Sequence, residues 1–328
     1  MSTSYILRPP MLPAARRVRA YFAPVVRGAE TPSIYDPAAQ AMFPLDSPPA
    51  PWIDLGWIEN FKRSSATEIV AIRGGIKAAP TALARKQLSA RVEFDFREWG
   101  KLQMALASGS QHMNLLATIG SITNDGSGGY PPISAAPVLS GSSATTIIMA
   151  PVYVQGFSIG DLIAVDVDYT GQTGYVGTGI AAAYVKSAAD VRSDVNYIRR
   201  VTFNVGRVVN TSPTSLFLAQ ALPGGAPASS GCGAQKIAGF ADREGGSFFQ
   251  EWSALFVVPE EAGSRICFYY PRLQPASPAA EENFALQAPI RGFGLHAAFA
   301  ALPATDANDN EQVLCYRSFF PAANAAVY

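Results

Sequence analysis

The chain has 328 residues, only 15% of them charged, with a formal net charge of zero and abundant Gly (28) and Pro (25). That is the composition of a turn-rich β protein, long enough for one large or two modest domains, and it excludes a helical bundle or a disordered tail. No net basic charge points to nucleic acid, and no apolar run is long enough to span a bilayer, so membrane insertion is not expected.

The charge is unevenly spread. Residues 61–110 carry nine basic and four acidic groups, and residues 111–328 carry eleven and sixteen. A basic stretch and an acidic remainder in one chain suit a head-to-tail interface, although both also suit solvated faces. The near-neutral surface favours a protein meant to assemble. Cys232, Cys267 and Cys315 are widely spaced and odd in number, so no disulfide framework is implied and a reducing compartment fits. Met1–Arg27 holds five arginines and several prolines but no apolar core of an export signal.

In chain order, residues 1–50 read as an extended Pro- and Ala-rich arm that gains order only on a neighbour. Deleting residues 1–48 is therefore expected to leave a folded protein that assembles poorly. Residues 51–146 read as the first part of a β domain. Its strands include Glu68–Ile72, with Gly74-Gly75 as a turn, and Arg91–Arg97. In the latter, Val92, Phe94 and Phe96 alternate with Arg91, Glu93, Asp95 and Arg97, the period-two pattern of a half-buried strand. The pattern then changes to helical spacing over about 98–108, with apolar Trp99, Leu102 and Leu106 and Gly109 as the stop. These three side chains are expected to pack against Val92, Phe94 and Phe96. Residues 120–146 form a Gly/Ser/Pro-rich linker or long loop.

Residues 147–240 read as additional β-rich material, in which Val165 and Val167 alternate with Asp166 and Asp168. Residues 241–328 read as C-terminal hairpins: Trp252–Val258 with Arg265–Tyr270, then Leu295–Leu302 with Gln312–Phe320. Phe96–Leu102 echoes Phe249–Leu255, but one copy leads into a helix and the other into a hairpin, as coincidence would.

Catalytic and ligand motifs are not found. There are two histidines, His112 and His296, and no Cys-x-x-Cys, so no local zinc site can be built. Asp306–Glu311 imitates a calcium loop, but Glu311 stands at the sixth position and Arg317 at the twelfth, where Gly and Glu are needed. Gly171, Gly174, Gly177 and Gly179 precede no helix that could complete a phosphate cradle. The chain is read as no enzyme, with no cofactor and no metal.

At Asp54-Leu55-Gly56-Trp57, at the strand Arg91–Arg97, at Glu98 leading the helix Trp99–Ala107, and at the closing hairpin Leu295–Phe320, the chain resembles the tail tube (major tail) proteins of tailed bacteriophages. The likeness is one of pattern and order and covers about a third of the chain. It departs in the N-terminal segment and in the material from 147 to 240, which is either an insertion or a second tube-like domain. The resemblance implies an antiparallel β-sandwich or open barrel with a short flanking helix, assembling into a ring-shaped β-barrel. It also implies a virion protein made in the host cytoplasm, whose hexameric or pseudo-hexameric trimeric rings stack head to tail. Its partners are itself, the tape-measure and other tail proteins, and double-stranded DNA passing without specific binding. Arg91, Glu93, Asp95, Arg97, Asp166 and Asp168 are the candidates for the lumen or the interface. Two other readings stand beside it. One is another virion component, such as a decoration or tail-completion protein. The other is a β-sandwich module binding carbohydrate through Tyr169, Tyr175 or Tyr184.

Overall fold

A computed structural model describes residues 17–25, 31–39, 43–49, 51–74, 79–116, 136–166, 204–222, 225–227, 232–244, 251–259, 263–287 and 290–321. Strand dominates them, and every strand pairing is antiparallel, in keeping with a β-sandwich. The chain divides into two compact units. The first holds the described residues up to Arg97 and those from Glu251 onward, and the second those between Glu98 and Gln250.

The first unit opens with β1 (Val18–Pro24), β2 (Ile53–Gly74) and β3 (Ala79–Phe96). The second contains α1 (Lys101–Ser108), β4 (Gln111–Leu116), β5 (Ala136–Pro137), β6 (Thr146–Ile148), α2 (Pro151–Val154), β7 (Leu162–Asp166), β8 (Val205–Ser212), β9 (Ser215–Leu218) and β10 (Gly233–Arg243). The chain returns to the first unit with β11 (Trp252–Pro259), β12 (Arg265–Gln287) and β13 (Ile290–Leu302). It ends with β14 (Ala304–Thr305), β15 (Gln312–Val313) and β16 (Tyr316–Phe320). The domain boundaries therefore differ from those expected. The inserted β-rich unit starts near Glu98 rather than at 147, and takes the helix with it.

In the first unit the strand order is β11-β1-β2-β3-β13-β12-β16, and β11 also pairs with β12. The succession of pairings thus returns on itself through six strands. One face carries an aromatic core: Phe22 lies 5.3–6.4 Å, ring centre to ring centre, from Phe94, Trp252, Phe256 and Phe299. On the other face Tyr21, Leu255, Val257, Cys267 and Tyr269 are covered by Tyr35, Phe43 and Trp52. β1 is therefore buried on both sides, and it overturns the reading of residues 1–50 as an arm without a local role. Val18–Pro24 is a central strand, and Tyr35 and Phe43 are core residues. A strand buried on both faces shows no alternation, so its apolar run was hidden among prolines and arginines.

β12 continues past Tyr270, where a strand end is expected, in spite of Pro271, Pro275 and Pro278. The register against β11 shifts between Trp252 and Ala254, beside Pro271, and the register against β13 shifts between Ala276 and Ala280, around Pro278. Pro275 lies beyond Leu273, the last β12 residue paired with β11, where β12 has β13 alone beside it. Irregularities and edges are where a residue without an N–H is tolerated in a sheet.

The second unit has a sheet of order β4-β10-β7-β8-β9-β6, with β5 beside β10. Ile147, Met149, Ile163, Val165, Val208 and Leu216 form its core, each fully buried. The helix is shorter than expected, Lys101–Ser108, and Gly109 ends it with φ 65°, the left-handed conformation glycine adopts without a Cβ penalty. Its buried positions are Met104–Ala107. Leu106 is among them, Leu102 is half-buried, and Trp99, expected as an anchor, is 43% exposed and precedes the helix.

Candidate assembly surface

The alternation in β3 is realised. Val92, Phe94 and Phe96 are buried in the aromatic core of the first unit, and the intervening charges lie on the opposite face. There they form a ladder of pairs across three strands. Arg97 Nε lies 2.8 Å from Glu59 on β2, and Arg91 Nε lies 2.8 Å from Glu93. Lys62 approaches Glu93 at 4.0 Å. Asp95 meets His296 Nδ1 of β13 at 2.6 Å and accepts a hydrogen bond from Asn60 Nδ2 at 2.5 Å. Asn60 sits in a bulge between the Glu59 and Lys62 rungs with φ 51°, a left-handed conformation that asparagine tolerates. On β13 the neighbours of Glu93 and Arg91 are Ala298 and Ala300, so the face is open at these rungs.

Solvated pairs of this kind contribute about 0–1 kcal/mol each. Stability does not account for four of them side by side. The ladder's effect is electrostatic: Glu59, Glu93 and Asp95 stand against Lys62, Arg91 and Arg97, which makes a hydrated face with little net charge. The second expected carboxylate pair belongs to the other unit of the chain. Asp166 ends β7 opposite Gly233 in the second unit, and its side chain lies outside the described residues, as does Asp168.

The same strands continue far beyond the core. β2 and β3 remain paired from Ser65↔Ala90 out to Gly74↔Ala79, a ribbon about 30 Å long at the usual rise per residue. Outside Ala90 the described side chains on both faces of this ribbon are exposed, apart from the half-buried Ala71. On it Ile69, Val70, Ile72, Leu83 and Leu88 are 38–65% exposed. Alternation assigns Ile69 and Leu83 to the face that continues the core side, and Val70 and Ile72 to the face that continues the charged ladder. A second ribbon, β12–β13, runs out to Gln287↔Ile290.

The register fixes their directions. β3 meets β13 only between the rungs Arg91↔Ala300 and Phe96↔Leu295. The β2–β3 ribbon closes beyond the first rung and the β12–β13 ribbon beyond the second, so the two leave their shared sheet at opposite ends. Among the described residues, no strand pairs with β2 on its β1 side from Glu59 to Ile72, with β3 on its β13 side before Arg91, or with β13 on its β3 side before Leu295. Unpaired edges of this length are templates for another chain. Compared with known proteins, the sequence matches no family model and no curated protein.

Sequence reasoning located the ladder's β3 half but missed the apolar ribbon. The run Glu68–Ile72 reads as a strand, and four consecutive apolar residues without alternation are normally buried, whereas Ile69, Val70 and Ile72 are exposed. Also unforeseen was Arg63, on the core side, whose Nε donates to the Tyr270 hydroxyl at 3.0 Å and whose guanidinium lies 5.3 Å from the centre of the Phe268 ring. Among the described residues no group of His, Cys, Asp and Glu is arranged to hold a metal ion, and no helix is long and apolar enough to cross a membrane.

Proposed function

We propose that this chain is a structural subunit that polymerises through its two ribbons, and that the polymer is a phage tail tube of stacked rings. The observation that carries the reading is the pair of long ribbons leaving the same sheet at opposite ends, with edges that no described strand covers and an apolar surface on the β2–β3 ribbon. A monomer gains nothing from a ribbon exposed on both faces, since a two-stranded hairpin is marginal by itself in water. A ring gains edge pairing and burial of Ile69, Val70, Ile72 and Leu83.

In this reading the six-strand circuit is a barrel, and the sheet β2-β3-β13-β12 of each copy joins its neighbours to form the wall of the tube. The charged ladder then faces the lumen. Its balance of three carboxylates and three cations suits a wall past which a polyanion slides. Each cation left unpaired would add affinity for phosphate through counterion release, and so friction. The like-charge runs of a DNA-binding groove are not present on this face, because each basic group stands beside a carboxylate. Tyr169, Tyr175 and Tyr184, the residues offered for a carbohydrate-binding module, lie outside the described residues.

Negative-stain microscopy of the purified protein over a concentration series tests the proposal. Rings or tubes are the expected outcome. Single particles of monomer size at every concentration would reject it.

A further inference from the structure

A cleft of about 550 Å³ opens in the first unit between the Thr31–Pro37 segment, β12 and the turn after β14. Its floor includes Tyr269 and Tyr316, whose rings stack 5.8 Å apart at 20°. Its rim includes Ile34, 69% exposed, and Pro37. The two charged residues that line it, Asp36 and Asp306, are both acidic. Asp306 accepts hydrogen bonds from the Tyr316 hydroxyl at 2.7 Å and the Asn308 amide at 2.9 Å, which hold its carboxyl below the usual range and keep it charged.

An aromatic- and proline-lined cleft with carboxylates at its edge suits an extended proline-rich peptide flanked by arginines. Stacked tyrosines offer flat apolar contact to pyrrolidine rings, and carboxylates engage guanidinium groups as charge-assisted pairs. The chain carries such a peptide. Arg8-Pro9-Pro10-Met11-Leu12-Pro13-Ala14-Ala15-Arg16 contains Pro-x-x-Pro with arginines on both sides. In a polyproline II helix, with three residues per turn, Leu7, Pro10 and Pro13 share one face, and the two prolines are about 9 Å apart along the axis. The segment precedes β1, which begins at Val18, so it can reach out while its own strand stays in the sheet.

We propose that this cleft receives the Arg8–Arg16 segment of a second copy of the chain. The inference rests on the assembly reading, and it adds to the sheet edges a second contact of different chemistry. Prolines fix φ in any state of the chain, so a segment rich in them loses less entropy on docking, and the acidic rim engages its arginines.

Photo-crosslinking of the full-length protein tests it, with Leu12 replaced by benzoylphenylalanine in a mixture of unlabelled and 15N-labelled copies. The expected products join a light and a heavy copy, at peptides containing Ile34, Pro37 or Tyr316. Ile34→Ser combined with Asp36→Arg, both at exposed positions, is expected to lower their yield at least tenfold. Arg8→Asp with Arg16→Asp is expected to recover it at least in part. Products confined to one copy, products on other surfaces, or a yield indifferent to these changes would overturn the docking. Rings that form normally without the crosslink reject the docking alone. Light–heavy crosslinks in a protein that never exceeds a dimer reject the ring reading and keep the docking.

Discussion

The two halves of β3 are built on the same strand and face opposite demands. From Arg91 to Phe96 the residues alternate strictly, with Val92, Phe94 and Phe96 at 0–3% exposure. From Pro80 to Ser89 leucines and alanines lie among Arg85, Lys86 and Gln87, and all are exposed. The first half spends its apolar side chains on its own core. The second leaves them exposed, and in the proposed assembly a neighbouring copy covers them. Hydrophobicity alone does not say that a residue is buried within its own chain; alternation against a charged face does.

The largest effect expected on this comparison comes from removing what braces the proximal half. β1 pairs with β2 over Ile53–Ile58 and with β11 over its whole length beyond Val18. Deleting residues 1–48 should therefore unfold the first unit, with loss of near-ultraviolet circular dichroism, contrary to the expectation from sequence. Deleting residues 2–16 should leave the melting temperature unchanged. Next, Phe94→Ala removes a fully buried ring packed on Phe22, Phe256 and Phe299 and should cost about 3–5 kcal/mol in denaturant unfolding.

A smaller effect is expected in the other unit, where it separates stability from assembly. Desolvation pulls the ammonium of Lys101 down to about 6 from 10.5. The unfolded chain then binds more protons than the folded one between those values, so stability should rise with pH across that window. Lys101→Met should stabilise the second unit by about 1–3 kcal/mol at pH 7, and by less near pH 10.5. Polymerisation through the ribbons should not change. If it changes in step, the ribbons are not the site of assembly.

Replacing Glu93 and Asp95 by lysine should lower monomer stability by no more than about 1–2 kcal/mol, since the pairs lost are partly solvated. It should give the polymer a salt-dependent affinity for DNA, measurable by cosedimentation at low and high salt. Polymer that ignores DNA after both changes would remove this face from the lumen. The smallest stability change belongs to the distal half. Ile69, Ile72 and Leu83 changed together to serine should move monomer stability by no more than about 0.5 kcal/mol per site, yet abolish rings.

How much of this was legible in the sequence follows from which residues obey a local rule. The strand Arg91–Arg97, the helix stop at Gly109 and the pair Trp252–Val258 with Arg265–Tyr270 all follow from period and turn chemistry, and the structure has them. β1 was not legible, because a strand buried on both faces loses its alternation. Nor was the length of β12, because its prolines fall at register irregularities that only the paired strands reveal. The ladder's partners on β2 and β13, Glu59, Lys62 and His296, are set by register between segments up to about 200 residues apart, for which a single sequence carries no signal. The unit boundary near Glu98 was missed because the strand and the helix are contiguous in the chain, with only a bend between them.

Amide hydrogen exchange over residues 64–74 and 79–89 tests the central claim most directly, measured in dilute protein and in pelleted polymer. The dilute protein should exchange quickly along the edges of this ribbon, while residues 91–96 stay protected in both samples. In the polymer the ribbon should become as protected as residues 91–96. A ribbon that exchanges equally fast in both samples would contradict the claim that it is the element through which the chain assembles.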